Sequence, residues 1–207
     1  MHKVYVIGIG PGTKDYLLSI ARRQIQRADC LIGARRILTL FRNLDKEKIY
    51  LEGDFDQAIC YIKENKDKKR IAVLVSGDPG LHSFLSQIQL NFKKEDYMVI
   101  PGISTLQLAF ARIGESWEDT KVTSLHGCKL GDFVKKVRNF KKVFLFTDAK
   151  FPPQRIATYL LKKRIRNRRV VVFEGLSYPD ERIVDTDLKG LSKMGGFGLC
   201  VMLIKKE

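Results

Sequence analysis

The sequence predicts an α/β protein made of two α/β domains. Short apolar segments alternate with amphipathic helical stretches along the chain, as expected of strands joined by crossover helices. Ile71–Val75 is apolar at every position, which is typical of a central strand buried on both faces. Three glycine-containing loops each follow an apolar segment, so we expect them at the carboxyl edge of one mainly parallel sheet.

The elements of the first domain follow from this alternation, taken in chain order. Strands are predicted at Val4–Gly8, Cys30–Gly33, Ile49–Leu51, Ile71–Val75 and Tyr97–Ile100. Helices are predicted at Asp15–Ala28, Ala34–Phe41 and Phe55–Lys63, from about Leu81, and at Leu106–Ile113. The periodicity breaks at 114–119, which predicts domains at residues 1–114 and 115–207.

The second domain begins again with a strand and is predicted to hold a mixed sheet. Its strands are expected at Val122–Leu125, Val143–Phe146, Val170–Phe173, Arg182–Thr186 and Leu199–Ile204. Its helices are expected at Asp132–Asn139 and Pro153–Lys163, the latter with proline in its first turn. No helix-length segment separates the last two strands, so we expect them to pair antiparallel.

Composition excludes several classes of protein. The chain has 207 residues, of which 44% are hydrophobic and 29% charged, so it is not a disordered or fibrous protein. No apolar run reaches the ~18–20 residues of a membrane span, and the N-terminal segment does not resemble a signal peptide, so a cytoplasmic location without membrane contact is expected. The four cysteines are far apart, which predicts small buried thiols and neither a disulfide framework nor a metal site.

The formal net charge is +15, and its distribution is uneven. Residues 120–207 hold 20 of the 38 Lys and Arg but only 8 of the 23 Asp and Glu. Such an excess attracts anionic partners, either a nucleic acid or a polycarboxylate small molecule. The densest cluster, Lys162–Arg169, is interpreted as the solvated end of a helix, with direct anion contact as the alternative. No aromatic residues interleave with this cluster, so nucleic acid is not an expected partner, although a basic RNA-binding module stays open as an alternative function.

The glycine loops do not fit the common nucleotide-binding motifs. The first loop, Gly8–Gly12, has Thr13 where a dinucleotide fingerprint needs glycine, and the second strand lacks the acidic residue expected at its end. No G-K-[ST] follows any glycine loop, which excludes a P-loop. The loops Gly77–Gly80 and Pro101–Ser104 complete a set of three, and their convergence on one sheet edge predicts a ligand site.

These three loops resemble, in order and spacing, the signature loops of the tetrapyrrole (corrin/porphyrin) methyltransferases. Shorter segments, Gly33–Leu38, Ser124–Gly127 and Glu174–Glu181, resemble the branch that methylates C5 of precorrin-7 or its cobalt form in cobalamin biosynthesis. Gly175 departs from the pattern of that branch, in which a larger polar residue, usually Asn, follows the glutamate. The resemblance implies an S-adenosylmethionine-dependent methyltransferase that binds its donor in the cleft between the domains.

The resemblance also implies which residues bind the donor. The expected set is Ile9, Gly10, Pro11, Gly12, Gly77, Asp78, Gly80, Leu81, Ser104 and Thr105. Asp78 would place an anion beside the methionine ammonium or sulfonium, or it would serve only as a turn residue. Ser104 would hold a carboxylate or ribose, or would cap the following helix, and the two roles are compatible.

Methyl transfer to an electron-rich ring carbon needs positioning more than acid–base chemistry. His126 is the candidate catalytic residue, for orienting substrate or moving a proton, with a structural loop histidine as the alternative. A basic second domain would suit the ionised acetates and propionates of a corrinoid substrate. A homodimer and a separate C15-methyltransferase/decarboxylase partner are implied by the resemblance alone. Other tetrapyrroles, ribosomal RNA or a translation factor remain alternative substrates for the same fold.

Overall fold

The computed structural model describes residues 3–53, 55–125 and 130–206. These residues divide into two compact units, with the division after Thr105. The helix and strand bounds of each unit follow, and each unit is described by itself. His126, the candidate catalytic residue, lies outside the described residues.

The first unit is a parallel α/β sheet with helices on both faces. Its strands are β1 (Val4–Gly8), β2 (Cys30–Gly33), β3 (Glu47–Tyr50), β4 (Ile71–Val75) and β5 (Tyr97–Ile100). Its helices are α1 (Ser19–Arg27), α2 (Arg35–Thr39), α3 (Phe55–Asn65), α4 (Leu85–Asn91) and the start of α5 (Thr105–Ile113), with 3-10 turns at Lys14–Tyr16 and Lys94–Asp96. The strand order is β3-β2-β4-β1-β5, and every pairing is parallel. The predicted parallel sheet is confirmed.

The central strand β4 shows why this sheet is buried on both sides. Ile71, Val73 and Val75 enter the core under α3 and α4, whereas Ala72 and Leu74 enter the core under α1 and α2. Because successive side chains of a strand point to opposite faces, an uninterrupted apolar run supplies both cores at once.

Two helices of the first unit begin later than the sequence predicts. The residues before α1 form a 3-10 turn in which the Leu17 amide donates to the Lys14 carbonyl at 3.1 Å, and the chain is extended at Leu17 and Leu18. The helix expected from about Leu81 begins at Leu85. His82 has a φ of 48°, outside the helical region, and the Ser83 hydroxyl accepts a hydrogen bond from the Leu85 amide at 3.1 Å.

The second unit holds the predicted mixed sheet. Its strands are β6 (Thr120–Ser124), β7 (Lys142–Phe146), β8 (Arg168–Glu174), β9 (Arg182–Asp187) and β10 (Cys200–Lys206). Its helices are the rest of α5, α6 (Leu130–Asn139), α7 (Pro153–Lys162) and α8 (Leu188–Leu191). The strand order is β6-β7-β10-β8-β9, in which β6 and β7 are parallel and the other pairings are antiparallel.

The predicted pairing of the last two strands is wrong. The strand β10 inserts between β7 and β8, whereas β9 pairs with β8 at the edge of the sheet. The short helix α8 and the segment 192–199 carry the chain between the two strands. Val201–Ile204 is buried at every position, so the centre of the sheet is where this apolar run loses most contact with water.

The described cysteines differ from one another in exposure. Cys30 and Cys200 are buried, as predicted, whereas Cys60 is exposed on α3, so the prediction of a buried thiol is wrong there. Burial raises the pKa of Cys30 to about 11 and raises that of Cys200. These two thiols therefore stay protonated near neutral pH, and Cys128 lies outside the described residues.

Candidate active site

Three loops meet at the carboxyl edge of the first sheet. They follow β1, β4 and β5, which are adjacent parallel strands, so all three strands end on the same side. This is the edge at which open α/β sheets bind their ligands. The predicted convergence of the loops is therefore confirmed.

Backbone contacts between glycines hold the first two loops together. The Gly77 amide donates to the Gly10 carbonyl at 2.8 Å, and the Gly10 amide donates to the Gly77 carbonyl at 3.3 Å. Both residues have positive φ, 87° at Gly10 and 66° at Gly77, which glycine adopts without the steric cost of a side chain. The two glycines thus form an isolated antiparallel bridge between loops that follow parallel strands.

The third loop packs against the other two at a second pair of glycines. A Cβ atom on Gly8 would lie 2.5 Å from the Gly77 carbonyl oxygen and 2.7 Å from the Gly102 nitrogen. A Cβ atom on Gly102 would lie 2.7 Å from the Gly8 carbonyl carbon. All three distances are shorter than a carbon atom tolerates, so glycine is required at these positions by loop packing alone. Neither Gly8 nor Gly102 is among the predicted donor-binding residues, although both stand in the glycine motifs.

Asp78 connects the second loop to the third. Its Oδ1 accepts a hydrogen bond from the Gly80 amide at 2.8 Å, and its Oδ2 accepts one from the Gly102 amide at 3.0 Å. The first bond stabilises the turn, which is one of the two roles that the sequence left open for Asp78. The second bond holds the neighbouring loop in place. Both carboxylate oxygens thus have backbone partners, and a contact between Asp78 and the donor stays a prediction.

The other predicted donor-binding residues lie in the same three loops but differ in exposure. Gly80 is exposed, Leu81 and Thr105 are half-buried, and the remainder are buried: Ile9, Gly10, Pro11, Gly12, Gly77 and Ser104. Ser104 and Thr105 stand at the N-terminus of α5, and this end of a helix favours negative or polar groups. The edge therefore presents mainly backbone groups, with hydroxyls at one end.

Two arginines that the sequence did not single out as binding residues stand at the same edge. Arg35 and Arg36 begin α2, directly after β2 ends. Arg35 is held by Glu52, with its Nε 2.7 Å from Oε1, and its guanidinium lies 4.6 Å from the centre of the Tyr50 ring. Arg36 is exposed, and its Nη2 lies 3.4 Å from the hydroxyl of Ser76, the residue before Gly77. The resemblance of Gly33–Leu38 to the C5-methylating branch was the sequence signal that could have identified these two arginines.

In the second unit, the segment Glu174–Arg182 forms a turn that leads into β9. Glu181 accepts two hydrogen bonds from Arg112, at 2.6 Å from Nε and 3.2 Å from Nη2, and a third from the Ser177 amide at 2.7 Å. The Arg112 guanidinium lowers the pKa of Glu181. This carboxylate anchors the turn that precedes β9.

The backbone conformation at residue 175 explains why glycine is accepted there in place of the expected asparagine. Its φ is 58°, in the left-handed region that glycine adopts freely and that asparagine tolerates better than most residues. Glycine at 175 therefore supports the backbone conformation that an asparagine would also allow. The substitution changes the side chain at this position and not the path of the turn.

The comparisons with known proteins agree with this arrangement of loops. The sequence profile of the tetrapyrrole (corrin/porphyrin) methylases matches residues 3–192. The chain belongs to this family. It is therefore a methyltransferase of the class that uses S-adenosylmethionine, as the three loops indicate.

Two relatives match almost the full length of this tetrapyrrole methylase. It is 33% identical over 201 residues to the probable cobalt-precorrin-7 C(5)-methyltransferase of Methanocaldococcus jannaschii, covering 91% of each chain. It is 33% identical over 178 residues to the cobalt-precorrin-7 C(5)-methyltransferase of Salmonella typhimurium, covering 86% of this chain and 87% of the relative.

Solved structures share the fold of this methylase. The precorrin-6Y methylase of Archaeoglobus fulgidus aligns over 100% of both chains with a TM-score of 0.77 and 22% identity. The uroporphyrin-III C-methyl transferase of Thermus thermophilus, complexed with S-adenyl homocysteine, aligns with a TM-score of 0.80 and 19% identity over 98% of this chain and 97% of that one.

The described residues show neither a cluster of metal ligands nor a helix suited to crossing a membrane. Within 3–53, 55–125 and 130–206, no group of three or more His, Cys, Asp or Glu is arranged to hold a metal ion. In the same ranges, no helix is long and apolar enough to cross a membrane.

Proposed function

We propose that the protein transfers a methyl group from S-adenosylmethionine to C5 of precorrin-7, with or without cobalt, in cobalamin biosynthesis. The observation that carries the proposal is 33% identity to two named C5-methyltransferases over nearly the full length of both partners. Matches to the cobalt-factor III methyltransferases cover less of this chain, 54% and 65%, and favour that substrate less.

The three loops of the first unit fit a donor of this kind. S-adenosylmethionine supplies a methyl group on a positively charged sulfur, together with an amino acid group and a nucleoside. The loops offer close backbone approach at Gly77 and Gly80, where no side chain intervenes, and hydroxyls at Ser104 and Thr105. We assign donor binding to Ile9, Gly10, Pro11, Gly12, Gly77, Asp78, Gly80, Leu81, Ser104 and Thr105.

The chain's residues contribute to methyl transfer mainly by holding their partners in place. The glycine contacts and the Asp78 hydrogen bonds fix the loops before the donor binds, so little freedom is lost on binding. In-line approach of the methyl carbon and the acceptor carbon then lowers the barrier without a strong general base. His126 is proposed to orient the ring substrate.

Three further features are proposed for this protein: a partner enzyme for the C15 reaction, a homodimer and a cytoplasmic location. The precorrin-6Y C(5,15)-methyltransferase [decarboxylating] of Mycobacterium tuberculosis matches 86% of this chain, and the match spans 45% of that longer protein. A separate partner enzyme for the C15 reaction stays an implication of the family resemblance. A homodimer and a cytoplasmic location stay predictions of the resemblance and the composition.

The decisive experiment is mass spectrometry of precorrin-7 and cobalt-precorrin-7 incubated with the protein and methyl-labelled S-adenosylmethionine. We expect the gain of one labelled methyl group, located at C5 by NMR. A label at another ring carbon would contradict the assignment, and so would labelling of ribosomal RNA or a translation factor in place of the corrinoid.

The same preparation tests His126. If His126 orients the substrate, His126→Ala lowers turnover, whereas donor affinity by isothermal titration and the melting temperature stay unchanged. If it is a structural loop histidine, the melting temperature falls and turnover stays close to normal. Normal values of all three would remove His126 from the site.

A further inference from the structure

The positive charge of the second unit is concentrated at one edge of its sheet. The strands β6, β7 and β8 begin at this edge and β10 ends there, as the register of Thr120, Arg168 and Lys205 with their partners shows. The helices α6 and α7 end in the loops that enter β7 and β8, so their last residues lie at the same edge. We call it the amino edge, because the parallel strands β6 and β7 start there.

Eight exposed cations make up what we call the basic surface of this edge. They are Lys121, Arg138, Lys141, Lys162, Lys163, Arg164, Arg166 and Lys206. Among the residues that the structure describes, none of the eight forms an ion pair with a carboxylate. Their charges are therefore available to a partner.

Contacts across the edge show that the basic surface is continuous. The Lys206 amide donates to the Lys141 carbonyl at 2.8 Å, which joins β10 to the residue before β7. The Arg138 Nη2 donates to the Lys163 carbonyl at 3.0 Å, which joins the ends of α6 and α7. The buried Arg168, at the start of β8, donates a hydrogen bond to the Val137 carbonyl and so connects the C-terminal end of α6 to the sheet.

Two carboxylates at the amino edge pair with cations that lie outside the basic surface. Glu115 lies 2.5 Å from Lys205 and 3.2 Å from Lys142, and Asp185 lies 2.8 Å from Arg169. Glu118 and Asp119 are exposed beside the surface. At the opposite edge, Arg182 pairs with Glu174 at 2.7 Å.

The fold also brings two exposed aromatic rings to the basic surface. Trp117 is 48% exposed and lies next to Ser116, whose carbonyl accepts a hydrogen bond from Lys142 at 2.9 Å. Phe140 is 41% exposed, and the Lys121 ammonium lies 5.7 Å from its ring centre. On the sequence alone, the absence of aromatic residues within Lys162–Arg169 argued against nucleic acid. The structure supplies the rings from other segments.

We propose that the amino edge of the second unit binds single-stranded nucleic acid. The basic surface complements the phosphate charge, and the exposed aromatic rings beside it complement the stacking faces of unpaired bases. An acidic chain without rings would use the charge alone, whereas an anionic membrane would also take up the rings at its interface, so lipid vesicles are included as an outcome of the test. The surface lies opposite the carboxyl ends of β6 and β7, so it is distinct from the edge at which a sheet of this kind takes a small substrate.

The natural fluorescence of the chain provides a direct test, because Trp117 is its single tryptophan. The full-length protein is titrated with an oligouridylate of about 12 nucleotides, within the usual site size of such surfaces. We expect saturable quenching of the Trp117 emission, which weakens steeply between about 50 and 200 mM salt. Binding seen by anisotropy of a labelled oligouridylate without any quenching would overturn the placement of the site.

Two matched pairs of variants keep the proposal falsifiable. The triple variant Lys141→Gln, Lys163→Gln, Arg166→Gln removes three charges from the basic surface. Its control, Arg42→Gln, Lys68→Gln, Lys94→Gln, removes two lysines and one arginine that are exposed in the first unit. We expect at least tenfold weaker binding, and a log–log salt slope lower by about 2, in the first variant only. Equal losses in both variants would show binding by net charge alone and would contradict the proposal.

The second pair tests stacking. Phe140→Ala should weaken binding about fivefold or more. Phe55→Ala removes a ring of similar exposure, 45%, from the first unit and should leave binding unchanged. If polyglutamate or phosphatidylserine vesicles bind as tightly as the oligouridylate, or if Phe140→Ala has no effect on oligouridylate binding, the nucleic-acid assignment is wrong. A circular dichroism melt of each variant confirms that it is folded.

Discussion

The Asp78 carboxylate accepts a hydrogen bond from the Gly102 amide at 3.0 Å and thereby joins two of the three loops at the edge of the first sheet. Its other oxygen accepts from Gly80 within its own loop. Bonds to a charged acceptor contribute about 1.5–3 kcal/mol each, so this side chain stabilises the loops before any ligand arrives.

Asp78→Ala is therefore expected to lower both the melting temperature and the affinity for S-adenosylmethionine. The affinity should fall roughly tenfold to more than a hundredfold, because the donor then has to order two loops on binding. Calorimetric titration and a thermal melt on one preparation measure both quantities. Lower affinity with an unchanged melting temperature would instead indicate direct contact with the donor.

Gly102→Ala is expected to destabilise the first unit by about 1–3 kcal/mol or more, since the new Cβ atom would lie 2.7 Å from the Gly8 carbonyl carbon. Gly131→Ala is the matched control. A Cβ atom there meets nothing within 4 Å, and Gly131 is the second residue of α6, so that change should be close to neutral. Urea unfolding curves of both variants check the difference, and equal stability of the two would contradict the loop-packing interpretation.

Much of the fold follows from local pattern, and the one wrong strand pairing has a physical reason. Ile71–Val75 and Val201–Ile204 are both uninterrupted apolar runs, and both are buried central strands. Arg182–Asp187 mixes apolar and polar residues and lies at an edge. The same criterion, an uninterrupted apolar run for a central strand, assigns β10 to the centre of the sheet and β9 to its edge. The prediction paired β9 with β10 instead, because the two strands are consecutive in the sequence.

The site was predictable where it depends on strand order and not where it depends on side-chain partners. Three loops after adjacent parallel strands must converge, and they do. The bond from Gly102 to Asp78 joins residues 24 positions apart, and only the folded chain shows it. The basic surface needs still more distant contacts, such as that between Lys206 and Lys141.

Cys60 is expected to be the fast-reacting thiol among the described cysteines. It is exposed on α3, whereas burial raises the pKa of Cys30 to about 11 and keeps its thiol protonated. In a Cys128→Ser background, a thiol-specific reagent near neutral pH should label one cysteine rapidly, and Cys60→Ser should abolish that phase. Rapid labelling of Cys30 in the folded protein would contradict the burial of β2.

The pair formed by Arg112 and Glu181 gives a pH-dependent contribution to stability. Arg112 lowers the pKa of Glu181 below its ordinary value of 4.5, so the folded state favours the ionised carboxylate. The stabilisation is fully present above about pH 4.5 and is lost as the pH falls through the lowered folded pKa. Glu181→Gln should therefore cost about 1–2 kcal/mol near neutral pH, discounted because Arg112 is about one-third exposed.

The measurement is the difference in unfolding free energy between the wild type and Glu181→Gln as a function of pH. It should shrink as the pH falls from about 7 to about 3, because protonated glutamic acid and glutamine are both neutral. Glu118→Gln is the control, since Glu118 is exposed in the same unit and should show a small difference at every pH. A difference for Glu181→Gln that does not depend on pH would show that the turn is held by its backbone bonds and that the charge of Glu181 contributes nothing.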